Sequence, residues 1–70
     1  MMPITLANVG EVNIILRICG RGKMQRHLAK LGFIPGSEIQ IVSKNNGSVI
    51  VNVKESRIAL CENLANRIMV

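Results

Sequence analysis

Aromatic side chains are almost missing from these 70 residues: there is no Trp, no Tyr and one Phe, Phe33. Yet 49% of the chain is hydrophobic. Any core must therefore be built from Ile, Val, Leu and Met, and a chain this rich in apolar residues is not of the polar, highly charged kind that stays disordered. With one ring in the sequence, recognition of single-stranded nucleic acid by base stacking is disfavoured. Long apolar runs are missing too. The run Ile14-Ile15-Leu16 is cut by Arg17, far short of the roughly 20 residues that cross a bilayer as a helix. The segment Met1-Met2-Pro3-Ile4-Thr5-Leu6 has neither a basic start nor an apolar stretch of signal-peptide length, so a cytoplasmic location is expected.

Acidic groups are few. Glu11, Glu38, Glu55 and Glu62 are scattered without paired spacing, and His27 is the one imidazole. General acid–base chemistry has little to draw on, and no enzymatic activity is expected. Cys19 and Cys61 are too few for a disulfide framework and read as free thiols, small hydrophobes buried at strand ends. With His27 and Glu62 they are ligand types that transition metals accept. No Cys-x-x-Cys or His-x-x-x-His pair preorganises two of them, so neither a metal nor a cofactor is expected. The segment Gly20-Arg21-Gly22-Lys23 faintly resembles a phosphate loop, but Arg17 and Met24 stand where that motif needs Gly and Ser or Thr.

What is present is continuous pattern. No Ser/Gly linker, repeat or low-complexity tract divides the chain, which reads as one domain over residues 1–70. Residues 12–19 are rich in β-branched side chains and predict a strand, ended by two glycines. From Lys23 to Leu31 the period changes: Met24, Leu28 and Leu31 share one helical face, while Lys23, Arg26 and Lys30 share another. Gly32 stands where a left-handed residue ends a helix, with Phe33 placed to fold back on Leu28. Pro35-Gly36 then suits a type II turn over residues 34–37.

A hairpin follows. A two-residue Asn46-Gly47 turn in a regular ladder would oppose Ile39 to Lys54 and Ile41 to Asn52, mixing polar and apolar residues. A three-residue Asn45-Asn46-Gly47 loop instead opposes Ile39 to Val53, Ile41 to Val51 and Ser43 to Val49, and is the pairing predicted. Residues 57–60 predict a further strand, residues 62–66 one helical turn with Leu64 and Ala65 inward, and residues 67–70 a last strand. The expectation is a mainly β fold with one short α-helix after the first strand. About five strands close into a small barrel that removes exposed edges.

Nine Lys and Arg against four Glu give +5, which favours an acidic partner. Lys23, Arg26 and Lys30, with Arg21 nearby, are the clearest candidate partner-binding residues.

Taken in order, strand, helix, Leu31-Gly32-Phe33-x-Pro35-Gly36, hairpin, Ile58-Ala59-Leu60 and Ala65-x-x-Ile68-x-Val70, the chain resembles the FeoA family of ferrous iron transport accessory proteins. Leu6, Gly10, Ile15, Ile18, Gly20 and Leu28 carry the earlier part of the likeness. The resemblance implies an SH3-like barrel and a cytoplasmic, non-enzymatic protein-interaction module that assists the membrane transporter FeoB. Two departures stand out: the loop between the second and third strands is short, and Glu55 replaces a Gly common in the family. The alternative is an SH3-like regulatory module, similar to the domains that end iron-dependent repressors, or a small nucleic-acid-binding barrel. No helix-turn-helix segment accompanies it here.

Overall fold

The hydrophobic alternation of residues 38–61 produces three consecutive antiparallel strands around which the rest of the chain is arranged. A computed structural model describes residues 1–70. In chain order the elements are β1 (Val12–Ile14), β2 (Arg17–Ile18), α1 (Lys23–Lys30), β3 (Glu38–Asn45), β4 (Ser48–Val53), β5 (Ser56–Cys61), α2 (Glu62–Ala65) and β6 (Ile68–Met69), preceded by a 3-10 turn at Ile4–Leu6. The main sheet has the order β1-β3-β4-β5, and β2 pairs with β6 in a second, two-stranded sheet.

The expected first strand is thus two strands, one in each sheet. The change happens between neighbouring residues: the Ile15 amide donates to the Ser37 carbonyl at 2.9 Å, and the Leu16 amide to the Met69 carbonyl at 2.8 Å. The expected closure does not occur, because no ladder joins β5 to β6. The single turn of α2 intervenes between them in the chain. Exposed edges are consequently not abolished. The most hydrophobic strand, β4, is protected by its central position between β3 and β5 instead.

The hairpin joins β3 and β4 by the two-residue Asn46-Gly47 turn, contrary to the three-residue loop expected from the pattern. Ile39 still opposes Val53 and Ile41 opposes Val51, but Ser43 pairs with Ile50 rather than Val49. A bulge between Ile41 and Ser43 absorbs the one-residue difference, so the preferred tight turn and the aliphatic register coexist. The shift places Lys44 opposite Val49. Its ammonium donates to the carbonyls of Thr5 (3.0 Å) and Ala7 (2.8 Å), tying the 3-10 turn to the sheet.

All fourteen buried residues are hydrophobic. Rows from β3, β4 and β5 meet Ile15, Ile18 and Ile68, with Leu28 and Phe33 entering from the helix side. Helix α1 ends as its residues predict. The Phe33 amide donates to the Leu28 carbonyl and the Gly32 amide to the Ala29 carbonyl, both at 3.0 Å, with Gly32 at φ +105°: the two bonds of a Schellman cap. Gly36 at φ +92° and a Ser37-to-Ile34 amide–carbonyl bond of 3.1 Å complete the type II turn. A Cβ on Gly32 would make only ordinary contacts, the nearest at 3.7 Å to Lys54. Gly32→Ala should therefore cost about 1 kcal/mol through backbone strain alone; an unchanged urea midpoint would contradict the strained cap.

Candidate functional site

Eight residues of amphipathic sequence position the most conspicuous polar surface. Helix α1 turns Leu28 into the core, fully buried, and Met24 partly so. At about 100° per residue, Lys23, Arg26 and Lys30 then fall together on the solvent side. All three are exposed, and with His27 they line one shallow surface depression that contains no apolar residue. His27 lies about 40° around the helix from Lys23, at the edge of the cation cluster, and lines the same depression.

None of these four side chains takes part in an intramolecular side-chain hydrogen bond. Other cations do: Lys44 holds the 3-10 turn, and the Arg57 Nε donates to Asn52 Oδ1 at 3.3 Å. The α1 face is therefore a cluster of unengaged positive charge. Such a face rewards a negatively charged partner and has no carboxylate among its lining residues to work as a base. Arg21, one residue before Gly22, is exposed as well but does not line the depression.

The candidate metal ligands are not gathered. Cys19 follows β2, His27 lies on α1, and Cys61 and Glu62 stand at the junction of β5 and α2. No three His, Cys, Asp or Glu side chains form a group that could hold a metal ion. The thiols are also less buried than expected, Cys19 intermediate and Cys61 exposed, because Cys61 falls on the outward side of the edge strand β5. A second exposed feature went unremarked in the sequence. Val12, Ile14 and Leu16, 55%, 45% and 54% exposed, form an alternating apolar row along the first strands. The clue was there: in an extended run Ile14-Ile15-Leu16, the middle residue and its neighbours point to opposite faces.

The family model for the FeoA domain matches residues 2–70. The chain belongs to the FeoA family. It is 41% identical over 71 residues to a protein named Fe(2+) transport protein A from Methanocaldococcus jannaschii, covering all of this chain and 85% of that protein. A crystal structure described as an iron uptake regulatory protein (FeoA) shares 27% identity at a TM-score of 0.86, over 94% of this chain and 89% of that one. The zinc-complexed FeoA of Stenotrophomonas maltophilia, described as a prokaryotic SH3 domain protein, superposes with a TM-score of 0.85 at 23% identity, over 99% and 88% of the two chains, a likeness of fold. The fold of this FeoA-family chain is accordingly SH3-like, mainly β with a short helix after the first strands, although its sheet stays open. No helix is long and apolar enough to cross a membrane.

Proposed function

We propose that this FeoA-family protein serves ferrous iron transport as a non-enzymatic interaction module, docking in the cytoplasm on a FeoB-type transporter through Lys23, Arg26 and Lys30. The carrying observation is the α1 face: three exposed cations and His27 around one depression, none of them in an intramolecular side-chain hydrogen bond. Family membership supplies the direction toward ferrous iron transport. A partner with an acidic cytoplasmic surface matches the +5 charge and is approached faster and in a defined orientation by a clustered positive patch. Docking of this kind acts on the assembly or the nucleotide cycle of the transporter without contributing a reacting group.

Calorimetric titration of the transporter's cytoplasmic region at low and at physiological salt tests the proposal. Binding that weakens several-fold on raising the salt is expected, since exposed charges are screened over about 8 Å at physiological ionic strength. The same titration with duplex DNA should show no tight complex. Tight DNA binding with a steep salt slope would favour a nucleic-acid module instead.

A further inference from the structure

On the flank of α1 opposite His27 lies a second depression, of about 270 Å³, and its lining differs in character from the basic one. Four of its seven lining residues, Ile18, Ala29, Phe33 and Ile34, are apolar. The Schellman cap turns the backbone off the helix at Gly32, and Ile34 and Pro35 then wall a hollow with Gln25 and Ala29, which stand about one turn apart on α1. Ile18 and Phe33 are buried at its floor, whereas Ala29, Ile34 and Pro35 are exposed. With only a methyl group at position 29, the hollow stays open. Its volume falls below the roughly 300–1,000 Å³ of pockets that enclose a free small molecule. It suits a single aliphatic side chain delivered by a larger partner.

The two depressions share Arg26. Its side chain is exposed and takes part in no intramolecular side-chain hydrogen bond, and neither depression is lined by a carboxylate. A guanidinium at the border of an apolar hollow is thus left for a group from outside the molecule. We propose that the hollow is the anchor site of the docking face, taking one aliphatic side chain of a partner segment whose neighbouring carboxylates meet Arg26, Lys30 and Lys23. The inference rests on the docking proposed for the basic face and adds the chemistry of the segment recognised. Complementarity selects that chemistry. A purely acidic segment leaves the apolar walls in water, whereas an apolar segment without carboxylates leaves the cations unpaired and a basic one is repelled. A carboxylate held in bidentate fashion by Arg26 fixes the orientation in which the neighbouring aliphatic side chain enters.

The probe is a blocked pentapeptide with a central leucine and two glutamates on each side, titrated to millimolar concentration against the isotope-labelled protein and followed by its amide resonances. The amides of Ala29 and Ile34 should shift together with those of Arg26 and Lys30. Replacing the leucine by alanine, or the glutamates by glutamines, should weaken binding at least about fivefold. An alanine peptide that binds as tightly as the leucine one, or shifts confined to the basic face, would overturn the proposal. So would resonance changes that follow protein concentration without peptide, the sign of a second copy in the hollow. Ala29→Leu fills the hollow at an exposed position, and both residues favour a helix. It should weaken binding of the leucine peptide and of the transporter's cytoplasmic region at least about tenfold, while the salt dependence of the latter stays the same. If that region binds but is indifferent to Ala29→Leu, the anchor site is refuted and docking by the basic face stands. If the peptide binds as described and the region does not bind, docking on the transporter is refuted and the anchor site stands.

Discussion

Phe33→Ala is expected to leave the chain largely unfolded at room temperature. Phe33 is the largest fully buried side chain and the single aromatic. Removing a buried Phe costs about 3–5 kcal/mol, which includes the cavity left behind. A domain of this length has a net stability of roughly 3–5 kcal/mol, so the two are comparable and no reserve remains. The loss is concentrated at one junction. Phe33 follows the left-handed Gly32 and occupies the position from which a Schellman cap clasps the last turn of α1, so its truncation loosens the helix together with the core. Circular dichroism under urea is the measurement: the wild type should unfold cooperatively, and the variant should lack a folded baseline. Leu31→Ala, one turn-end position away but exposed, should shift the midpoint only slightly. A Phe33→Ala protein that melts within a few degrees of wild type would show that the core does not depend on its one ring.

Combined reversal of Lys23, Arg26 and Lys30 to Glu should weaken binding to the transporter's cytoplasmic region at least about tenfold, or about 1.4 kcal/mol. The three side chains line one depression and take part in no intramolecular side-chain hydrogen bond, so the substitutions remove none. Helix stability should change little. Glu at position 23 is favoured by the N-terminal end of the helix dipole, whereas Glu at position 30 is opposed by the C-terminal end, and the two effects offset. An unchanged urea midpoint alongside lost binding would assign the effect to docking. Unchanged affinity would remove the stripe from the account of function and turn attention to the apolar row of Val12, Ile14 and Leu16 on another part of the surface.

Legibility followed the range of the interactions. The end of α1 was readable because its determinants lie within nine residues: Leu28 and Phe33 supply the hydrophobic clasp, Gly32 the left-handed angle, and Pro35-Gly36 the stop. The helical face that gathers Lys23, Arg26 and Lys30 was readable for the same reason, as a matter of 3.6-residue periodicity. The hairpin was half legible. Burial dictated that Ile39 face Val53 and Ile41 face Val51, while the Asn46-Gly47 dipeptide favoured a tight turn; treating these as rivals led to the wrong loop length. The bulge between Ile41 and Ser43 satisfies both, and no local feature of Val42 announces it.

What lay beyond reach depended on residues distant in the chain. The division of residues 12–18 between two sheets is set by Ser37 and Met69, which compete for adjacent amides. The position of Lys44 over the 3-10 turn follows from a bulge and from carbonyls nearly forty residues away. The candidate ligands Cys19, His27, Cys61 and Glu62 could be enumerated in the sequence, but their dispersal over the fold could not.

The sequence by itself determined an aliphatic core, a strand-helix-hairpin order, a capped helix with a basic outer face, and the family to which the chain belongs. These rest on composition, on periodicity and on turn chemistry, all of which act between near neighbours. Only the tertiary structure decided that the main sheet remains open and that β5 keeps an unpaired edge. Closure requires a last strand to reach across the molecule. Here β6 pairs with β2 and with the N-terminal segment instead, the Met2 amide bonding to the Val70 carbonyl and the Val70 amide to the Met2 carbonyl at 2.9 and 2.8 Å. The last strand is thus held by β2 on one side and bridged to Pro3 on the other, and it makes no ladder with β5.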